Sequence, residues 1–169
     1  MIPLVVGFVV LLVVILLLGR ALGATNEVRT APLPAPPFVL KVRRGPAIKL
    51  ADYKGKVLIV CFFATGDKPS QQQIPILNDL IKEHGETNLA ILAIGLEQPG
   101  APPLKDYAEG FELKFPVYPA DYDVIQAFGG LTSIPALFVI DKNQNIIQKY
   151  VGLTEANILE ADLKAIFKQ

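Results

Sequence analysis

The two side chains best suited to nucleophilic or acid–base chemistry, cysteine and histidine, occur once each, as Cys61 and His84. Cys61 sits inside Val57-Leu-Ile-Val-Cys-Phe-Phe63, an unbroken apolar run that disfavours a thiolate and leaves the thiol acting as a small hydrophobe. One cysteine forms no internal disulfide, and one Cys with one His falls short of a typical zinc ligand set. No metal site and no cofactor are expected. Ser70 is a third candidate nucleophile, but an alcohol needs an adjacent base. His84 lies fourteen residues further along what reads as one helix, about 21 Å away at 1.5 Å per residue. That distance removes a Ser–His pair. Asp67 has no visible second group for acid–base work. Standing before Lys68-Pro69-Ser70, it has the character of a helix N-cap, with a proline in the first turn where a missing N–H costs little. Ser70 then reads as a polar residue of that first turn.

The elements that carry these residues alternate. Val57–Phe63 is predicted as a strand buried on both faces. A helix follows from about Pro69 to His84, with Ile74, Leu77, Leu80 and Ile81 on its inner side, Gly85 as its stop and a kink at Pro75. Leu89–Leu96 is a second buried strand, and Glu97–Pro103 a Gly/Pro loop before short helices at Leu104–Glu109 and Asp123–Phe128. Ala136–Ile140 and Ile146–Val151 flank a polar turn at Asp141–Asn145 and read as a hairpin. The last helix is expected to begin at Thr154 as N-cap and to turn Ile158, Leu159, Leu163, Ile166 and Phe167 towards the sheet. Ahead of the central strand, Phe38–Val42 and Ala47–Leu50 read as short strands around Arg44-Gly45-Pro46.

Composition sets the surroundings. Lys+Arg and Asp+Glu both number 16 in 169 residues, so a formal net charge of zero offers nothing for a nucleic-acid backbone. The 51% hydrophobic content is concentrated at the start, where Ile2–Leu18 is uncharged and almost wholly aliphatic. Seventeen helical residues reach about 26 Å, near the lower limit for a bilayer core of about 30 Å. A cleavable signal peptide has a basic start and an apolar run of only about 7–15 residues. Here no Lys or Arg precedes the run, although Ala21-Leu22-Gly23 leaves a cleavage site open. The expectation is an uncleaved transmembrane signal-anchor at residues 1–20, making the membrane a partner. A linker at 21–37 follows, with prolines at 32, 34, 36 and 37 holding it extended, and then a domain at 38–169.

Strand–helix–strand, hairpin and closing helix is the order of the thioredoxin fold, and three segments resemble that family. Leu50-Ala-Asp-Tyr-Lys-Gly-Lys-Val-Leu-Ile-Val60 resembles its entry into the central strand. Phe62-Phe-Ala-Thr-Gly-Asp-Lys-Pro-Ser-Gln-Gln-Gln-Ile-Pro75 resembles its active-site segment, Phe-Trp-Ala-Thr-Trp-Cys-Pro-Pro-Cys followed after three residues by an apolar residue and Pro. Thr132-Ser-Ile-Pro-Ala-Leu-Phe-Val-Ile-Asp141 resembles the loop that bears a cis-proline, with Pro135 in that place. The resemblance spans about residues 36–169. It is strongest to the membrane-anchored TlpA/ResA-like branch of thiol–disulfide oxidoreductases and the broader redoxin group. It implies an α/β, thioredoxin-like fold with a central mixed β-sheet flanked by helices, behind an N-terminal transmembrane helix.

In that frame Asp67 and Ser70 stand where the two cysteines would be, and Gly66 replaces the Trp. Counting a peroxidase-type Thr-x-x-Cys from Thr65 puts Lys68 at the nucleophile's position. Thiol–disulfide exchange needs a thiolate and a second sulfur, so no catalytic residue is expected at the degenerate positions. The family also pairs the backbone before its cis-proline with an extended substrate segment, and that docking needs no sulfur. Gly66, Asp67, Ser133, Ile134 and Pro135 are therefore the expected binding residues. Asp67 there reproduces the negative charge of a reduced site. Three functions compete: a redox-inactive binding or assembly module for an extracytoplasmic protein, an oxidoreductase that depends on Cys61 or a partner thiol, and an unrelated enzyme with Asp67 as base. Arg20 and Arg29 follow the apolar span and by the positive-inside rule favour a cytoplasmic domain. The family implies the extracytoplasmic, periplasmic side, and the expectation follows the family.

Overall fold

The computed structural model describes residues 33–40, 46–97 and 99–168. The expected membrane anchor, the linker up to residue 32 and the turn residues Arg44-Gly45 lie outside them. No helix among the described residues is long and apolar enough to cross a membrane.

In chain order the elements are β1 (Leu33–Pro34), β2 (Val39–Leu40), β3 (Ile48–Lys49), a 3-10 turn (Leu50–Tyr53), β4 (Val57–Ala64), α1 (Lys68–Asn88), β5 (Leu89–Leu96), α2 (Leu104–Gly110), β6 (Val117–Pro119), α3 (Tyr122–Ala127), β7 (Ala136–Ile140), β8 (Asn145–Val151) and α4 (Ala156–Phe167). Six strands form one mixed sheet in the order β1-β8-β7-β4-β5-β6, and β2 and β3 make a separate antiparallel pair. β4 is parallel to β5 and antiparallel to β7, so α1 crosses from one parallel neighbour to the next.

All eight residues of β4 are buried, because the strand is covered on both faces. Period-2 alternation sends Val57, Ile59, Cys61 and Phe63 into one layer. There they meet Ile74, Leu77, Leu80 and Ile81 of α1, Leu104 and Tyr107 of α2, and Leu159, Leu163 and Ile166 of α4. Leu58, Val60 and Phe62 face the opposite layer, with Phe38, Leu40, Leu50, Val124, Phe128 and Phe138. Phe62 packs edge-on against Phe128 and Phe138, with ring centroids 5.5 and 5.9 Å apart.

The structure departs from the sequence reading at several places. The segment read as a linker through Pro37 joins the sheet at Leu33, which pairs with Ile146, and the Ala35 N–H donates to the Gln144 carbonyl at 2.8 Å. Pro34 is tolerated because β1 is an edge strand. β6 went unpredicted, being three residues that end in proline. Gly85 breaks α1 with φ 69° and ψ 157°, yet helix resumes to Asn88. The backbone stays helical through Pro75, so the one break inside α1 is at Gly85 and not at the proline. α4 starts at Ala156 behind Glu155, not behind Thr154, and no side chain caps it. Thr154 is buried, with its backbone N–H and carbonyl both held by Gln73. Ile158 was placed towards the sheet but is 45% exposed, on the outer side of α4's first turn.

Gly95 illustrates how closely α2 lies on β5. A methyl group built there would stand 2.0 Å from Leu104 Cδ2. Leu104 is itself buried, so Gly95→Ala is expected to destabilise the fold by about 1–3 kcal/mol through overpacking. Urea unfolding would show this as a lower midpoint at unchanged slope.

Candidate functional site

β4 ends at Ala64, and Thr65-Gly66 turns the chain into Asp67, the N-cap of α1. Asp67 has extended backbone angles, φ −92° and ψ 123°, as a cap requires. Its Oδ2 accepts two hydrogen bonds from Ser70, one from the backbone N–H at 2.9 Å and one from the hydroxyl at 2.7 Å. The Ser70 oxygen in turn accepts the Ala64 N–H at 3.3 Å. Gln71 Nε2 donates to the Thr65 carbonyl at 2.9 Å, and the Thr65 hydroxyl donates to the Pro102 carbonyl at 2.8 Å. The strand end, the turn and the first helical turn are thus one hydrogen-bonded unit. Asp67 is the cap the sequence indicated, a role that stabilises a helix by about 0.5–2 kcal/mol.

Ser70 differs from its reading as a simple first-turn residue. It is wholly buried, and its oxygen is engaged as both donor and acceptor. The Asp67-x-x-Ser70 spacing was the available signal, since the N-cap and the third helical residue exchange hydrogen bonds in capping motifs. An alcohol enclosed in this way is not an accessible nucleophile. His84 sits near the far end of the same helix, its ring 5.3 Å from that of Phe167 on α4.

Cys61 pairs with Ala93 on β5 and Leu137 on β7 and is fully buried. Burial pushes its thiol from the ordinary value of 9.0 up to about 12. Tyr107, packed in the same layer, is also raised to about 12, by burial first and by Cys61 second. Neither group offers an anion near neutral pH.

The expected binding residues lie at one end of the sheet. Phe62 is opposite Ala136 in the antiparallel β4–β7 register, which brings the chain after β4 and the chain before β7 to the same edge. The Ile134–Pro135 peptide bond is cis. Pro135 is buried, and its carbonyl accepts the Gly152 N–H at 2.7 Å. Ser133 and Gly66 are exposed, while Ile134 and Asp67 are half-buried. The backbone groups of Ser133 and Ile134 take no hydrogen-bond partner among the described residues. Two concavities lie elsewhere. One of about 480 Å³ is lined by Glu97, Pro103, Leu104, Lys105, Val117 and Pro119, and one of about 210 Å³ by Phe38, Val39, Asp121, Asp123 and Val124. Neither is lined by Gly66, Asp67 or Ser133–Pro135.

The thiol gives a direct prediction. Folded protein should leave Cys61 unmodified by a thiol reagent at pH 8, with labelling only as the chain unfolds. Because the folded thiol titrates higher than the unfolded one, its contribution to stability is complete below about pH 9 and is lost as pH rises towards 12. Cys61→Ala should make alkaline unfolding less steep with pH, read as the midpoint in urea at pH 8 and pH 10.

Comparison with known proteins agrees with this architecture. The model of the AhpC/TSA family matches residues 33–149. The thiol-disulfide oxidoreductase ResA of Bacillus thuringiensis subsp. konkukian is 32% identical over 133 residues, covering 78% of this chain and 76% of that protein. ResA of Bacillus cereus is 29% identical over 163 residues, covering 91% and 93%. Among solved structures, a thiol:disulfide interchange protein of the thioredoxin family from Chlorobium tepidum superposes with a TM-score of 0.71 at 30% identity, over 81% of this chain and 97% of that one. A mixed sheet in this strand order, a helix capped at the end of its central strand and a cis-proline at the same end of the sheet accompany these matches, and the chain belongs to the AhpC/TSA family, with a thioredoxin-like fold and relatives among the ResA-type thiol-disulfide oxidoreductases.

Proposed function

We propose that this protein is a redox-inactive member of the thiol–disulfide oxidoreductase family, tethered to the membrane by residues 1–20 with its domain on the extracytoplasmic side. It works as a binding or assembly module, docking an extended segment of a partner protein against Ser133, Ile134 and Pro135, beside Gly66 and Asp67. The observation that carries this reading is the closed Asp67–Ser70 pair at the head of α1. The relatives named above carry out, by their names, thiol–disulfide chemistry. In this chain the helix start is held by a carboxylate and a buried hydroxyl, and the one sulfur of Cys61 is sealed in the core. Free backbone groups at Ser133 and Ile134 support docking by strand addition, a mode that draws its affinity from main-chain hydrogen bonds. The half-exposed carboxylate of Asp67 adds a fixed negative charge at the rim.

Insulin reduction by the purified chain is the deciding assay. Wild type and Cys61→Ser should both fail to accelerate it, and turnover lost on Cys61→Ser would sink this reading in favour of an oxidoreductase. The paired substitution Asp67→Cys with Ser70→Cys puts one sulfur at the cap and the other beside the Ala64 N–H. It should raise the rate at least about tenfold over background, equivalent to about 1.4 kcal/mol of barrier. Docking is probed separately by recovering membrane partners on wild type and on Asp67→Arg, where equal recovery counts against a role for the rim charge.

A further inference from the structure

Gln73 is a fully buried amide of α1, and both ends of it are held by a single residue 81 positions later. Its Oε1 accepts the Thr154 N–H at 2.7 Å, and its Nε2 donates to the Thr154 carbonyl at 3.2 Å. Thr154 is buried as well, and its hydroxyl donates to the Gly152 carbonyl at 3.4 Å. Gly152, at φ 87°, donates its N–H to the Pro135 carbonyl at 2.7 Å. A continuous path therefore runs from α1, one turn beyond Asp67 and Ser70, through the β8–α4 connection to the cis-proline loop. Core packing alone does not account for the amide, because its neighbours Ile74 and Leu77 are apolar and burying an amide is costly unless it is fully paired.

We propose that Gln73 is a positioning residue whose neutral amide fixes the spacing between the N-terminus of α1 and the Ser133–Pro135 loop, and thereby the width of the shelf on which an extended peptide docks. The role in docking rests on the function proposed above. The chemistry asks for an amide in particular. A donor and an acceptor side by side match the N–H and carbonyl of one residue, whereas a carboxylate presents two acceptors and turns a negative charge on the Thr154 carbonyl. A protonated carboxyl restores the missing donor. Gln73→Glu should therefore behave as wild type when protonated and lose the contact when ionised. Burial favours the neutral form, so the native arrangement is present at low pH and is lost as pH rises above the ordinary glutamate value.

The test follows the amide resonances of the 15N-labelled full chain in detergent micelles, for wild type, Gln73→Glu and Gln73→Met, together with the affinity of a dodecapeptide selected on wild type from a phage-displayed random library. The Ser133, Ile134 and Gly152 resonances of Gln73→Glu should coincide with wild type at low pH and diverge as the new carboxyl ionises, with wild type over the same range as reference. Gln73→Met should speed hydrogen exchange at Gly152 and Thr154, and weaken the peptide, each by roughly five- to a hundredfold, the scale of leaving a buried backbone group without its partner. Resonances and affinity unmoved in Gln73→Met overturn the proposal. Should that variant fail to fold, Gln73→Glu decides alone, and loop resonances that ignore its ionisation overturn it. If wild type selects no peptide while the resonances still follow the carboxyl, the docking function fails and the positioning role stands. If a peptide binds wild type and Gln73→Met alike with the loop unmoved, docking stands and the positioning role fails.

Discussion

Where β4 gives way to α1, one carboxylate oxygen of Asp67 takes both the N–H and the hydroxyl of Ser70, and the Ser70 oxygen takes the N–H of Ala64. Three residues are enough to end a strand, start a helix and lock the two together. This joint sets the direction in which α1 leaves the sheet, and so the face that helix presents to β5 and α4. A helix start leaves orphan N–H groups that must find acceptors, and a thiolate and a carboxylate meet that demand in the same way. Here that acceptor is the Asp67 carboxylate.

The same helix supplies polar ties to the turn before it and to two later segments. Gln71 holds the Thr65 carbonyl, Gln73 holds Thr154, and Asn78 accepts the N–H of Lys114 at 2.8 Å. Thr65 extends the set by holding Pro102. The long connection between β5 and β7 is therefore pinned at Pro102 to the turn before α1 and at Lys114 to α1 itself. α1 acts as a frame as well as a core helix, with apolar residues facing the sheet and amides spaced along its flank to receive loops.

The apolar signals in the sequence were reliable, because β4, β5 and β7 are continuous hydrophobic runs whose length and surroundings allow one interpretation. The Asp67 cap was legible for a related reason: capping is a contact over three residues, within reach of local pattern. Ser70 and Gln73 were not legible as buried. A polar side chain is buried only when partners complete its hydrogen bonds, and for Gln73 that partner is 81 residues away. β1 and β6 were missed because each contains a proline and is too short for a period to show. Thr154 looked like a cap by residue type and was recruited elsewhere, a tertiary contact overriding a local preference.

The separation between Gln73 and Thr154 has a consequence for how the domain comes into being. Strand β4, helix α1 and strand β5 are contiguous in sequence and can pack as a unit while the rest of the chain is still being made. The clamp cannot close until residue 154, 81 positions after Gln73, has emerged. The cis-proline loop emerges earlier but lacks its brace until then. A chain that stops short of residue 154 can hold the β4–α1–β5 unit yet lacks both this clamp and the α4 side chains Leu159, Leu163 and Ile166 that close its layer of the core.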